Sequence, residues 1–561
     1  MTDEGPTDSR MGDTEPIDDP YVLGGSQPHD FWAESVADLI AERDPDDPVV
    51  IKGGISPSGV PHLGNMNEIA RGYFVAEALR ERGHTVRQVF TADDRDPLRT
   101  LPRRLADLDG NVVDLGDVNA GALGRNLGKP YTAIPDPFGC CDSYGDHFVA
   151  LIERSAGLLD VPVETVSNTD LYESGAFEDV TRFLLERRDR ARDVLANYQD
   201  KVDESYVPFR PICASCGHVA ETDAVTAIDL DAGTVEYVCT DMEAGDRVIE
   251  GCGHEGTATL REGKLPWRFE WPAQWRVLGV DFEPFGKDHA EGSWPSGADI
   301  ARNVLDDSPP VPMAYEWFTL DGEAFSSSSG HVIMVQDVLE LIEPAVLRYF
   351  FTKDPSTARD FSVERIDQLV DEFDRFERAY FDGSGTEARS RETVEVAYPA
   401  VVGDSERPRL RLPYTFAAVL GMTDDSALRE KMARREGHVP ADASADAVAD
   451  ALARVDLART WAERVDNAYN YRLAADLPAT AFDPATEAAL DDLADFVAAG
   501  HAGEEIQSEI FETARRHDLD PGDLFAAGYR LFFDTDQGPQ LGTFLADLDR
   551  AFVVDRLRRE A

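Results

Sequence analysis

The segment Gly53–Glu68, GGISPSGVPHLGNMNE, brings together residue types that suit phosphate chemistry. Glycines 53, 54 and 59, with Pro57 and Pro61, let backbone approach a ligand closely where an extended run, PVVIKGGIS, gives way to a helical pattern. His62 falls just before that helix, and Asn65 follows three residues on. A neutral imidazole at such a place can donate to a phosphate oxygen, while the helix N-terminus adds positive potential. The arrangement suits the charge that builds when a carboxylate attacks the α-phosphate of ATP, a reaction helped mainly by positioning and charge stabilisation. Downstream, GKDHAEGS (286–293) sets Asp288 and His289 after a predicted strand, where open α/β sheets bind ligands.

The six cysteines, Cys140, Cys141, Cys213, Cys216, Cys239 and Cys252, all lie in one stretch of the chain. Close-set groups of this kind suit a metal site in a reducing cytosol better than a disulfide framework. In PICASCGHVAE, Cys213 and Cys216 have the spacing of a tight knuckle, and Cys239 and Cys252 supply two further thiolates. Four thiolates from two short pieces match a tetrahedral structural zinc site, with His218 and His254 as possible substitutes for one of them.

The elements that must position these groups follow from periodicity. Residues 48–56 read as a buried strand, Asn65–Arg82 as a helix stopped at Gly83, and Thr85–Asp94 as a second strand ending in carboxylates. Strand, glycine turn, helix, strand opens a doubly wound nucleotide-binding fold. A comparable strand is expected at Arg276–Val280, with a helix near Gly297–Leu305. From about Asp360 helical patterns dominate: 443–473, 486–499, 504–516 and 540–559, with 382–409 read as a long connection and EKMARREG (430–437) as a helix end.

Composition bounds the rest. The chain has 561 residues, 108 acidic against 54 basic, for a formal net charge of -54. With 42% hydrophobic residues it is not an acidic disordered chain. So acidic a surface suits concentrated salt, where screening lengths fall to roughly 3 Å at 1 M; net charge therefore says nothing against a nucleic-acid partner. No stretch approaches a membrane span, and no signal region is visible, so a cytoplasmic location is expected.

PSGVPHLGN (57–65) resembles the HIGH signature of class I aminoacyl-tRNA synthetases, and its lead-in and ending resemble most the archaeal class I lysyl-tRNA synthetases. His62 and Gly64 match the first His and the Gly, and Asn65 stands at the second His. The run KLPWRFEWPAQWRVLGVDFEPFGKDH (264–289) is similar to that family as well. The resemblance implies a Rossmann-like catalytic domain in two halves, 29–110 and 271–359, after an acidic disordered tail, 1–28. A zinc-bearing connective insertion, 111–270, separates the halves, and an all-α anticodon-binding region, 360–561, follows. ATP would meet Pro57, Ser58, Gly59, His62, Gly64, Asn65, Asp288 and Gly330; Gly54, Ser56, Trp267, Trp271, His289 and Tyr315 are candidate walls for lysine, with Asp93, Asp94 and Asp96 as possible contributors.

DGEAFSSSSGHV (321–332) stands where the KMSKS-like loop is due, with Ser326, Ser327, Ser328 and Ser329 as its serine-rich core and Ala324 and Ser329 at the two lysine places. Asp136, Cys140, Cys141 and His147 resemble in spacing the family's first zinc site. The implied activity is charging tRNA(Lys) with lysine, using ATP and Mg2+, with Zn2+ as a structural ion and with neither DNA nor membrane as partner. The residues alone leave open a glutamyl or arginyl type, or a non-catalytic tRNA-binding relative; oligomeric state is not legible.

Overall fold

The computed structural model describes residues 19–245, 247–325, 331–383, 391–403 and 408–560. The chain divides into two compact units. One spans Met1–Asp337, Leu347–Ser362 and Arg389–Gly403; the other spans Val338–Val346, Val363–Ala388 and Asp404–Ala561, each over its described residues.

The first unit is built on α1 (Trp32–Ala41), β1 (Val49–Ile55), α2 (Leu63–Glu81), β2 (Val86–Ala92), β3 (Glu164–Ser167), α3 (Trp267–Leu278), β4 (Phe282–Gly286), α4 (Trp294–Asn303) and β5 (Val311–Tyr315). The strands form one parallel sheet in the order β5-β4-β1-β2-β3, with Val49–Ile55 paired in register to Val86–Ala92. This is a doubly wound order with its switch point between β1 and β4. Strands covered on both faces must be apolar along their length, and Val49, Val50, Ile51, Val89, Phe90, Phe282, Phe285 and Met313 are buried accordingly. From α2, Met66, Ile69, Phe74, Val75 and Leu79 pack fully inside, each such side chain contributing about 1.5–3 kcal/mol.

Four sequence expectations are corrected. Residues 276–280 are not a strand: they end α3, whose left-handed Gly279 (φ 66°) stops the helix, and the strand lies at Phe282–Gly286. The apolar run RVLGV fits either element, and the glycine decides. The pattern at 540–559 is two helices, Leu541–Asp547 and Arg550–Leu557, because Asp549 caps the second by accepting from the Phe552 amide at 3.0 Å. The supposed connection at 382–409 contains a helix, Arg391–Val402, that runs through Pro399. Residues 19–28, expected within a disordered tail, are described, and the Pro20 carbonyl accepts from the Ala314 amide on β5 at 2.7 Å.

The second unit is helical, including Ala445–Val465, Pro484–Ala498, Gly503–Arg516 and Pro521–Phe533. Ser444, Asp483 and Asp520 cap three of these through their side-chain oxygens. Inside it, buried Arg454 makes a two-pronged pair with Asp374 at 2.7 and 2.9 Å and donates to Glu343 at 2.8 Å. Arg556 is buried and donates to the Ala474 carbonyl at 2.8 Å. It serves the core.

Candidate active site

The carboxyl ends of β1, β4 and β5 open on a cavity of about 690 Å3. The β1–α2 turn supplies Gly54, Ser56, His62, Gly64 and Asn65 to its wall; α3 supplies Trp267. Gly286, Asp288 and His289 come from the end of β4, and Tyr315, Trp317 and Phe318 from the end of β5. Pro57, Ser58 and Gly59 shape the turn without lining the cavity. Ser326–Ser329 and Gly330 lie outside the described residues; Ala324, just before them, is on the wall.

His62 caps α2. Its Nδ1 accepts from the Gly64 amide at 3.1 Å, and Asn65 Oδ1 accepts from the His62 amide at 2.9 Å. With Nδ1 occupied as an acceptor, the ring carries its proton on Nε2. Burial pushes the imidazole pKa down to about 4, so the ring is neutral near pH 7 and Nε2–H is left as a donor. Phe325 stacks on the ring with centroids 5.0 Å apart. A Cβ on Gly64 would come within 2.8 Å of the imidazole, so this cap needs glycine there.

Glu68, on the next turn of α2, is the group that sequence reasoning passed over. Its Oε1 accepts from the Gly54 amide at 2.6 Å and its Oε2 from the Tyr315 hydroxyl at 3.2 Å. It lines the cavity deep in the protein, and burial raises its pKa to about 8, against the lowering pull of the Gly54 amide. The only signal in the sequence was a carboxylate two turns into a helix that had already earned attention for His62.

The acidic strand end divides. Asp93 and Asp96 line the cavity. Asp93 accepts from Asn168 Nδ2 at 2.9 Å and Gln274 Nε2 at 3.1 Å, and burial holds its carboxyl well above the ordinary range. Asp96 pairs with Lys264, which also donates to Glu270 at 2.7 Å. Asp94 faces away and accepts from the Thr169 amide at 2.8 Å. Trp271, expected on the wall, is buried behind it: it stacks under Trp267 at 5.5 Å and 14°. Among the described residues, no lysine or arginine lines this cavity.

The cysteines gather as their spacing suggested. The sulfurs of Cys213, Cys216, Cys239 and Cys252 lie within 4.8 Å of one another, with Cys213 3.6 Å from Cys252 and Cys216 3.7 Å from Cys239. A tetrahedral ion with bonds of about 2.3 Å would set its sulfurs about 3.8 Å apart, so this donor set fits zinc. A small sheet holds it: Cys239 follows the strand Thr234–Val238, and Cys252 precedes Glu255–Thr259. His218 and His254 are not needed as ligands. In the second cluster, Asp136, Cys140, Cys141 and His147 also bring one ligand atom each within 4.8 Å of the others. There His147 Nε2 lies 2.8 Å from the Ala106 carbonyl, a bond that leaves Nδ1, 3.3 Å from Cys140 Sγ, as the lone-pair nitrogen.

A parallel sheet that holds a capped helix N-terminus at its switch point is the architecture of a nucleotide-binding domain. Residues 30–400 match the family described as tRNA synthetases class I (K). The chain is 70% identical over 548 residues to a lysine–tRNA ligase of Halobacterium salinarum, covering 97% of this chain and 100% of the relative. It is 68% identical over 543 residues to that of Haloarcula marismortui, covering 97% and 99%. With the Pyrococcus horikoshii enzyme it shares 31% over 555 residues, covering 94% and 99%. This chain belongs to the class I lysine–tRNA ligase family.

Proposed function

We infer that this chain activates lysine with ATP to give lysyl-adenylate and pyrophosphate, then transfers the lysyl group to the terminal ribose of tRNA(Lys). The observation that carries the reading is one cavity with a neutral imidazole donor at one wall and an uncompensated carboxylate, Glu68, at another. His62 Nε2–H and the α2 N-terminus favour the charge on the α-phosphate as the lysine carboxylate attacks. Glu68, with the Tyr315 hydroxyl beside it, accepts from an ammonium group of lysine, and Trp267 gives the cation an aromatic face. ATP brings Mg2+, which supplies positive charge to the phosphates. Asp288, which lines the cavity at the exit of β4, is read as the acceptor for ribose hydroxyls. Among the described residues no lysine or arginine lines the cavity to meet a glutamate side chain, which argues against a glutamyl type.

The two ligand clusters are read as structural zinc sites that hold the insertion's loops, since each offers four protein ligands and no open position. Metal analysis of the purified chain should find zinc at both, and Cys239→Ser should remove it from the four-cysteine site while leaving the other filled. Zinc unchanged in that variant would reject the assignment. The helical second unit is read as the part that meets the anticodon, and the cytoplasm as the place of work.

The direct test is charging of total tRNA in molar potassium chloride, with ATP, Mg2+ and tRNA present from the start, for each amino acid in turn. Lysine alone should be charged. Binding of tRNA without charging by any amino acid would sink the enzyme reading.

A pH dependence follows from Glu68. Its carboxyl is raised to about 8 in the free site, and only the ionised form attracts an ammonium. Below that pH, lysine must displace a proton to bind. KM for lysine should therefore fall about tenfold per pH unit from 6 towards 8, then level off. KM for ATP measured in parallel should lack this slope. A lysine KM flat over that range would remove Glu68 from the pocket.

A further inference from the structure

Lys52 is the one charged residue in β1, and Glu283 is its partner in β4. Their side chains are 1% and 3% exposed, and Lys52 Nζ donates to Glu283 Oε1 at 2.8 Å. Two indoles complete the carboxylate's shell: Trp271 Nε1 donates to Oε1 at 2.8 Å, and Trp275 Nε1 donates to Oε2. Trp271 supports the cavity wall from behind, stacked on Trp267 and with its ring 5.6 Å from that of His289. The ammonium of Lys52 lies directly under the β1 turn, since a Cβ on Gly54 would stand 3.5 Å from Nζ. The Gly54 amide is the group that holds Glu68.

A buried ion pair of this kind is seldom worth more to stability than an apolar pair of equal volume. Two other consequences are specific to this place. A carboxylate with an indole N–H on each oxygen fixes the orientation of both rings. It also cancels a positive charge that would otherwise sit beneath a pocket built for a cation.

We propose that Glu283, paired with Lys52, is a positioning and specificity residue of the amino-acid pocket. It orients the tryptophans behind Trp267 and His289, and it neutralises Lys52 so that the cavity takes a cationic side chain. This rests on reading the cavity as the lysine site.

The test compares KM for lysine with the inhibition constant of norleucine, which has the same carbon chain and a hydrogen in place of the ε-ammonium. Both are read by ATP–pyrophosphate exchange on the full chain with tRNA present. In E283Q the preference for lysine over norleucine should fall about tenfold or more, because the uncompensated Lys52 charge opposes only the cation. KM for ATP should move far less than KM for lysine, since the ATP contacts do not involve Glu283. In K52M/E283Q, which removes both charges, the preference should return towards the native value.

An unchanged preference for lysine over norleucine in E283Q would overturn the specificity role, and an unmoved norleucine inhibition constant would overturn the positioning role. If E283Q does not fold, the double variant carries the test alone: a preference near the native one is expected, and its collapse would overturn the proposal. Failure of the underlying reading looks different. There E68Q would leave lysine binding unchanged, whereas an effect of E68Q beside an unmoved E283Q preference refutes only the role given to Glu283.

Discussion

Glu68→Gln is expected to raise KM for lysine by about 10²–10³-fold, while KM for ATP moves by less than about threefold. The argument is electrostatic. Glutamine keeps the shape and an oxygen for the Gly54 amide, so the β1–α2 turn retains its hydrogen bond. What is lost is the charge facing the ammonium. Removing one partner of a desolvated, hydrogen-bonded charge pair costs about 2–5 kcal/mol, because the other charge is left buried and unpaired. Asp93 is no substitute: Asn168 and Gln274 already occupy it, and burial favours its neutral form. Asp96 is committed to Lys264. Exchange assays across a lysine titration separate this from the alternative in which Glu68 is only a strut between β1 and α2. A strut would show as a lower melting temperature with KM for lysine unmoved, and that outcome would end the assignment.

The catalytic half of this fold could be read from the sequence because its signals are local. A buried strand running into glycines, a capping histidine and a helix stopped at Gly83 are decided by neighbours within a few residues, and β1, α2 and β2 lie where periodicity put them. The four-cysteine cluster was legible because the spacing of Cys213 and Cys216 is itself a local rule, whereas the Asp136, Cys140, Cys141 and His147 cluster was reached through the family resemblance. What stayed hidden depends on partners far along the chain. Arg276–Val280 has strand composition, yet Trp271 and Trp275 just before it must both reach Glu283, which requires helical spacing there. The break near Asp549 comes from one side-chain cap that an unbroken apolar stripe conceals. Glu68 looked like any helix carboxylate, because the Gly54 amide and the Tyr315 hydroxyl that define it are 14 and 247 residues away. Lys52 was visible as a charge in a strand, but its meaning needed Glu283, 231 residues on.

His62→Ala should lower the rate of lysyl-adenylate formation by about 10²–10³-fold, with KM for lysine little changed. The ring stands at the start of α2 with Nδ1 tied to the Gly64 amide, so its Nε2–H is aimed by the helix cap and not by a flexible side chain. A donor fixed in this way costs no reorganisation when charge builds on the α-phosphate, which is why losing one such donor typically removes 10²–10³-fold in turnover. Alanine also removes the cap, at about 1 kcal/mol of stability, so a second variant is needed. His62→Asn keeps a capping oxygen and offers an amide donor, and it should recover stability fully and rate in part. The imidazole is neutral from about pH 5 upward, since burial sets its pKa near 4. Turnover at saturating lysine should therefore show no inflection from this group between pH 6 and 8, where KM for lysine changes steeply through Glu68. An H62A enzyme that turns over within a fewfold of the native rate, or one whose defect lies in KM for lysine, would show that the imidazole holds the turn and does not serve the phosphate.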